Sequence, residues 1–293
     1  MDSSIKFGNI LVVGIGLIGG SIIRALKENS FAGGVYGIDV DKDALSSAYE
    51  LGLIENIDEN IPGDLDDLLV IFSVPVLSIQ EAMSTINTMI SIENVTYTDT
   101  LSVKSSVLNT LQALDKNVLK SFVLSHPIAG SEHSGFKSSS ADLFKEKLSI
   151  ICPHEDNDAQ AVSSVTDFWK ALGSYTKKLS AQDHDELFGK TSHMPHVIAY
   201  ALMNSLYQDL GAKTFLYSGG SLEDYTRIAS SDPVMWKDIM VSNDISILNS
   251  IESFKKSLDE LSGLIDSKNA TGLIKFFSSV KIARDKSILG KED

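Results

Sequence analysis

A glycine-rich turn close to the N-terminus constrains the fold more than any other segment. Its sequence, GIGLIG, follows the apolar run from Asn9 to Val13 and precedes a segment with helical spacing of apolar residues. Glycines spaced as GxGxxG allow a tight strand-to-helix turn, close approach of a pyrophosphate to the backbone, and close packing of helix on strand. Unpaired amides at the helix start then favour the bound anion, so the pattern predicts a dinucleotide site. Its residues are Gly14, Gly16, Leu17, Ile18 and Gly19.

An acidic residue lies at the distance that this turn requires. Asp39 follows Gly19 by about 20 residues, at the end of the second apolar run. A carboxylate there bonds the adenosine ribose hydroxyls and repels a 2′-phosphate, so NAD is favoured over NADP. Asp41 is better placed to cap the helix that follows. The tripeptide after the third apolar run completes the predicted cofactor contacts, and its residues are Ser73, Val74 and Pro75.

Apolar runs alternate with helical segments over the first 180 residues or so. The predicted strands are 9–13, 35–38, 68–72, 95–98, 122–124, 148–152 and 175–179. Such alternation is typical of βαβ units, and beyond residue 180 only helical patterns follow. We expect an α/β fold with an N-terminal Rossmann-like, doubly wound parallel sheet over residues 1–180 and an all-helical C-terminal domain over residues 181–293.

Apolar residues recur at three- and four-residue spacing towards the C-terminus. They are Ile245, Leu248, Ile251, Phe254, Leu258, Leu261 and Ile265. This spacing predicts one face of a long amphipathic helix. The face either packs inside the helical domain or forms a dimer seam, and the spacing leaves both interpretations open.

Charge and cysteine content limit the partners and the compartment. A formal net charge of −14 disfavours nucleic acid and anionic membranes as partners, but not a small anionic substrate held by local arginines. No apolar run approaches the roughly 20 residues of a membrane span. The single cysteine, Cys152, lies in a predicted strand. A buried, inert thiol is expected there, and we place the protein in the reducing cytoplasm.

Polar residues follow two more of the predicted strands. Ser102 comes after the fourth strand and His126 ends the fifth. The carboxyl ends of parallel strands share one crevice, which is where ligands bind in open sheets. A histidine there is suited to take a proton from a substrate hydroxyl while hydride leaves for a nicotinamide. The alternative is that His126 only forms the turn before Pro127.

The second half of the chain adds a histidine pair and an arginine. His193 and His196 are three residues apart, but Pro195 lies between them and no cysteine is near, so no metal is predicted. Arg227 is either a solvated surface residue or a fork that grips a substrate carboxylate.

Taken together, these segments resemble the prephenate dehydrogenase (TyrA) family over almost the whole chain. The segments that carry the resemblance are GIGLIGGS, DTLSVK, HPIAGSEHSG, His184-Asp185, SHMPH and RIASSDPVMW. The combination of HPIAG, SHMPH and RIASSDPxMW in this order is specific to that family.

The resemblance implies an oxidoreductase of tyrosine biosynthesis that uses NAD to convert prephenate into 4-hydroxyphenylpyruvate by oxidative decarboxylation. It implies that His126 polarises the ring hydroxyl, that Ser102 orients it, and that Arg227 binds a substrate carboxylate. It also implies a helical second domain that forms a homodimer, which favours the dimer seam. Further substrate-binding residues that it implies are Ser131, His193, His196 and Trp236.

Two positions depart from the family pattern. Glu223 stands where many members carry a lysine able to pair with the glutamate that Glu132 matches, and Leu101 stands where glycine is common. Neither departure removes a catalytic group, although both bear on substrate preference. The chain has no extra length for a fused mutase or regulatory domain, so we expect a monofunctional enzyme.

Three other functions are compatible with the sequence. The nearest is arogenate dehydrogenase, whose substrate carries an amino group in place of the keto group. The second is another two-domain NAD(P) enzyme, such as a 3-hydroxyacid dehydrogenase or an imine reductase, which uses lysine or aspartate for proton transfer. Lys190 is the lysine that the interdomain region offers. The third is a non-catalytic, NAD-sensing dimer.

Overall fold

The computed structural model describes residues 5–57, 61–63, 65–90, 94–113, 116–130 and 133–289. The strands are β1 (Asn9–Val13), β2 (Gly34–Ile38), β3 (Leu68–Phe72), β4 (Val95–Asp99), β5 (Phe122–Pro127), β6 (Leu148–Cys152) and β7 (Tyr175–Lys178). The helices are α1 (Leu17–Glu28), α2 (Lys42–Glu50), α3 (Ile79–Met89), α4 (Ser105–Leu111), α5 (Lys116–Ser121), α6 (Ala159–Ala171), α7 (Ala181–Phe188), α8 (Met194–Leu210), α9 (Gly220–Thr226), α10 (Pro233–Ser242), α11 (Asp244–Asp266) and α12 (Ala270–Leu289).

The strands form one sheet in the order β2-β1-β3-β4-β5-β6-β7. Successive residues of β1 point to opposite faces, so Leu11 and Val13 join one apolar core while Ile10 and Val12 join another. Residues of α3, α4 and α5 lie in the first core, and residues of α1, α2 and α6 lie in the second. Helices therefore cover both faces, and the predicted doubly wound α/β fold is confirmed.

One pairing differs from a purely parallel sheet. β6 runs antiparallel to β5, with His126 opposite Ile150, whereas the other neighbouring strands are parallel. A parallel pair needs a crossover, usually a helix. The described residues between β5 and β6 contain only a short 3₁₀ turn, Phe136–Ser138, so the chain re-enters the sheet from the end at which β5 leaves it.

The strand order reverses at β1, which has β2 on one side and β3 on the other. Ligands of open α/β sheets bind at the carboxyl ends of strands at such a reversal. There, the Ser73 amide donates to the Val13 carbonyl at 2.7 Å. The glycine turn and the β3 tripeptide therefore meet at the same edge of the sheet.

The chain divides into two compact units, Met1–Asp244 and Ile245–Asp293. The first unit contains the sheet and helices α7 to α10. Within it, a π-helical turn, Gly189–His193, joins α7 to α8, and Pro195 lies in the first turn of α8. The domain boundary expected at residue 180 stays a prediction.

In the second unit, α11 spans the predicted amphipathic segment. Ile245, Leu248 and Ile265 are 73%, 58% and 59% exposed in the single chain, so much of the apolar stripe is uncovered. Over the ranges described above, no helix combines the length and apolar content that crossing a membrane requires.

Candidate active site

The glycine turn has the geometry of an anion cradle. Gly14 has φ of +92°, and a Cβ on it would lie 2.4 Å from the Ser73 carbonyl oxygen, so only glycine fits there. A Cβ on Gly19 would lie 1.9 Å from the Gly14 oxygen, which shows how closely helix and turn pack. A Cβ on Gly16 would meet no described atom within 4 Å. The space beside Gly16 is therefore open at the N-terminus of α1, as a bound pyrophosphate requires.

The two acids after β2 have different roles. Asp41 accepts hydrogen bonds from the amides of Asp43 and Ala44 at 3.0 and 3.2 Å and so caps α2. Asp39 accepts from the Ile15 amide inside the glycine turn and from the Asp41 amide at 2.8 Å. The Asp39 carboxylate thus lies against the turn, where a ribose would follow the pyrophosphate.

The tripeptide after β3 lies on the other side of the turn. The Ser73 hydroxyl accepts a hydrogen bond from the Thr100 hydroxyl at 3.1 Å, which links the ends of β3 and β4. Val74 is partly buried against the apolar core, and Pro75 precedes a 3₁₀ turn that leads into α3. Cofactor contacts at these three residues stay a prediction.

The loop that carries Ser102 is anchored by a buried ion pair. Lys104 and Asp99 are both fully buried and paired with each other, and the Lys104 ammonium also donates to the Ser125 carbonyl at 2.7 Å. Leu101, one of the two departures from the expected family pattern, is 3% exposed and packs in the sheet core. The lysine therefore ties the Ser102 loop to the residue that precedes His126.

His126 lies near the end of β5 and is partly exposed. Its Nδ1 atom is 2.8 Å from Nε2 of His184, whose Nδ1 is 2.8 Å from Oδ1 of Asp185. The two carboxylate oxygens of Asp185 also accept from the Lys104 and Ser105 amides, each at 2.8 Å. Asp185 thereby caps α4 from a distant helix, and α7 is joined to the loop that carries Ser102.

Burial governs the protonation of this group. Burial lowers the pKa of His126 well below its usual value of 6.5, and the positive charges of His184 and Lys104 would lower it further. Burial also lowers the pKa of His184, against the opposing effect of Asp185. For Asp185, burial raises the pKa, but hydrogen bonds from His184 and from the Lys104 and Ser105 amides lower it by more. His126 and His184 are therefore neutral, and the Asp185 carboxylate beside them is ionised.

The histidine pair in the helical region is held by an aromatic stack. His196 lies parallel to Trp236 with ring centroids 3.6 Å apart, and its Nδ1 donates to the Ser192 carbonyl at 3.0 Å. His193 is 1% exposed, and its Nδ1 lies 3.1 Å from the Asn243 side-chain nitrogen. Asn243 also donates to the Asp185 carbonyl at 2.9 Å, so this cluster is connected to the His126 site.

A cleft of about 760 Å³ lies against α8, α9 and the 3₁₀ turn Arg227–Ser230. Its charged lining consists of Arg227, Glu223 and Asp224, and Tyr200, Asn204 and Tyr207 add polar atoms. Burial lowers the pKa of His196, and the charge of Arg227 lowers it further. Arg227 therefore acts electrostatically on the histidine that stacks on Trp236.

The structure also adds residues to which the sequence assigned no role. His184 contacts His126, the predicted base, and Asp185 contacts His184 in turn. Asn243 joins Asp185 to His193. The one sign of them in the sequence is that a His-Asp pair follows Ser180, the residue that caps the N-terminus of α7. Ser131, a predicted substrate contact, and Glu132 lie outside the described residues.

A glycine cradle at the sheet reversal and a neutral histidine at the same sheet edge define the class of the protein. It is a dinucleotide-dependent oxidoreductase with a Rossmann-type sheet and a helical second part.

Comparison with known proteins identifies the family. Residues 22–177 match the model of the prephenate dehydrogenase nucleotide-binding domain, and residues 180–279 match that of the prephenate dehydrogenase dimerization domain. The chain therefore belongs to the prephenate dehydrogenase family. The predicted family and enzyme class are confirmed.

Relatives cover nearly the whole chain. Cyclohexadienyl dehydrogenase of Zymomonas mobilis is 34% identical over 95% of both chains, and prephenate dehydrogenase of Bacillus subtilis is 30% identical over 94% of this chain and 75% of its own length. The crystal structure of prephenate dehydrogenase from Aquifex aeolicus with hydroxyphenyl propionate and NAD⁺ superposes with a TM-score of 0.88 at 34% identity, covering 97% of this chain and 99% of that one.

Proposed function

We propose that this chain catalyses the NAD-dependent oxidative decarboxylation of prephenate to 4-hydroxyphenylpyruvate, a step of tyrosine biosynthesis. The observation that carries the proposal is His126, held neutral and in a fixed orientation at the sheet edge that also carries the glycine cradle. The Aquifex relative is described with NAD⁺ and a hydroxyphenyl acid, which has the ring type of the proposed product.

The residues of the glycine turn fit NAD. In the described chain no side chain caps α1 and its first turn holds no acidic residue, so its amides suit the pyrophosphate beside Gly16. Asp39 is placed to accept from the ribose hydroxyls. NAD, when bound, supplies the acceptor for the hydride that leaves the substrate carbon.

His126 handles the proton of the substrate hydroxyl. A neutral imidazole accepts the hydroxyl hydrogen bond and takes up the proton as the C–O bond gains carbonyl character. The ring carboxylate leaves as carbon dioxide, and the phenol oxygen of the product takes the proton back, so no net proton is released. Ser102, on the loop tied to Ser125 by Lys104, orients the same hydroxyl.

Arg227 binds a carboxylate of the substrate in the cleft. Its guanidinium presents paired donors that match a carboxylate, and His196, fixed by Trp236 and Ser192, lies within its electrostatic range. His193 supports this arrangement from its buried position.

One observation favours arogenate as a second candidate substrate. Glu223 and Asp224 line the same cleft as Arg227. Arogenate carries an ammonium and a carboxylate on one carbon. The ammonium is complementary to the two acidic side chains, and the carboxylate is complementary to Arg227. A keto acid such as prephenate offers no positive group to these carboxylates.

We also propose that the active form is a homodimer. The apolar stripe of α11 is largely exposed in the single chain, and residues 180–279 match a domain described as a dimerization domain. Large exposed apolar faces mark association surfaces. This favours the dimer seam over internal packing.

The experiment is a side-by-side assay of purified protein with prephenate and arogenate, each with NAD and NADP. Formation of the reduced cofactor with NAD and either substrate is expected. Turnover of a 3-hydroxyacid or an imine instead would assign the chain to another class of dehydrogenase. NAD binding without turnover of any of these would support a sensing role.

A further inference from the structure

Asp185, His184 and His126 form a continuous hydrogen-bonded line with a defined direction. Both oxygens of the Asp185 carboxylate face backbone N–H groups, those of Lys104 and Ser105, so neither oxygen is placed to carry a proton. The 2.8 Å contact from Asp185 to the His184 ring must then be donated by His184. Nδ1 of His184 therefore carries hydrogen.

The direction passes through the second ring. A neutral imidazole has one N–H and one lone pair, so His184 with hydrogen on Nδ1 has its lone pair on Nε2. Nε2 of His184 lies 2.8 Å from Nδ1 of His126, which must be the donor in that contact. His126 is left with its lone pair on Nε2, and that atom has no hydrogen-bond partner among the described residues.

We propose that His184 and Asp185 are positioning residues that fix His126 in the Nδ1–H tautomer, with Nε2 as the proton acceptor, and that stabilise the charge when the proton arrives. The inference rests on the proposed role of His126. The step breaks the substrate O–H bond and forms an N–H bond at Nε2, with the cofactor of the proposed function as oxidant. The positive charge stays on the His126 ring. The hydrogen bond that its Nδ1–H donates to His184, whose own ring is held by the Asp185 carboxylate, stabilises that charge.

The surroundings explain why such a line is needed. The Lys104 ammonium is buried close enough to disfavour a positive charge on either ring. Phe188 packs against both rings, with centroids 5.2 Å from His126 and 4.5 Å from His184, and excludes water from one side. Asp185 is the anion in hydrogen-bond contact with the pair, so it offsets the lysine charge at the moment of proton transfer.

The first test reads the tautomer directly. The ring ¹⁵N resonances of the six histidines are recorded in the free enzyme, and those of His126 are assigned by their loss in His126→Asn. Hydrogen on Nδ1 and a lone pair on Nε2 are expected. Hydrogen on Nε2, or an equal mixture, would overturn the inference without touching the proposed reaction.

The second test uses two amide replacements of one ring. In His184→Gln, the side-chain oxygen can still accept from Nδ1 of His126. In His184→Asn, the shorter amide can reach Asp185 but not His126. We expect kcat to fall about 100-fold in the Asn variant and only about 10-fold in the Gln variant. KM and the affinity for NAD should stay nearly unchanged in both.

Glu186→Gln, an exposed change on the same helix, is the matched control and should keep wild-type kcat. Equal losses in the Gln and Asn variants, or losses confined to KM, would contradict a positioning role. If neither variant folds, the ring resonances of the unmodified enzyme still decide the tautomer.

Discussion

The imidazole of His196 lies stacked on the indole of Trp236, with ring centroids 3.6 Å apart and planes inclined by 24°. Trp236 is 6% exposed, and its Nε1 atom has no hydrogen-bond partner among the described residues. The indole therefore acts here as an apolar platform that fixes the ring near Arg227.

Replacing Trp236 should affect substrate binding, measured as KM, more than the chemical step, measured as kcat. Trp236→Phe keeps an aromatic face and loses no hydrogen bond of the described structure, whereas Trp236→Leu removes the face. We expect KM for the substrate to rise about tenfold in the Leu variant and little in the Phe variant, with kcat less affected. Steady-state kinetics of both variants check this, and equal KM values in the two would contradict it.

The glycine turn allows folding and cofactor binding to be separated. Gly16→Ala meets open space, so the free energy of unfolding should change by less than about 1 kcal/mol while the Kd for NAD rises at least about tenfold. Gly19→Ala collides with the Gly14 carbonyl and should cost about 2 kcal/mol or more of stability. Urea unfolding and NAD titration measure both. Unchanged NAD affinity in Gly16→Ala would place the pyrophosphate elsewhere.

The charge of the cleft should set the side-chain preference. Glu223→Gln removes one of the two carboxylates beside Arg227. We expect the ratio of kcat/KM for arogenate to that for prephenate to fall about two- to fivefold, as for one exposed charge contact. An unchanged ratio would show that neither substrate places an ammonium near Glu223. Glu186→Gln, away from the lining of the cleft, is the control.

His193 should make stability sensitive to acid. Burial lowers its pKa from 6.5 to about 4 in the folded protein. The unfolded chain then binds the proton more tightly, so stability is fully present above pH 6.5 and is lost as the pH falls from 6.5 towards 4. Between pH 7 and pH 5, His193 alone should cost about 2 kcal/mol.

Urea unfolding at the two pH values, in wild type and in His193→Asn, isolates this contribution. Asparagine keeps an acceptor for Asn243 without titrating, so the loss between pH 7 and pH 5 should be smaller by about 2 kcal/mol. His133→Asn, a change at an exposed ring, should show the wild-type loss. An identical loss in His193→Asn would assign the acid sensitivity to other groups.

Much of the sheet could be predicted because its strands are short apolar runs that the glycine turn and helices separate. β1, β3 and β6 begin and end where the sequence indicated. β5 extends past the apolar residue Leu124 to Pro127, because its pairing with β6 continues through polar residues. The antiparallel direction of β6 depends on the connection and not on the strand itself.

Contacts within the candidate site were harder to predict from the sequence than the strands were. The sequence placed His126 at a strand end, where chemistry is expected, because local pattern determines strand ends. It could not place His184 against His126, because 58 residues separate them and tertiary packing alone brings the rings together. Likewise, nothing near Asp185 in sequence indicates that it caps α4, since the amides it binds lie about 80 residues earlier.

In the proposed reaction His126 takes up the proton of the substrate hydroxyl, and the variant His126→Asn tests this role most directly. The kcat of His126→Asn with NAD and the better of prephenate and arogenate should fall by about 100-fold or more, while the Kd for NAD stays within about twofold of wild type. The acid limb of the wild-type pH profile, which we expect well below pH 6.5 because burial lowers the pKa of His126, should disappear in the variant. Near wild-type turnover in His126→Asn would contradict this role of His126.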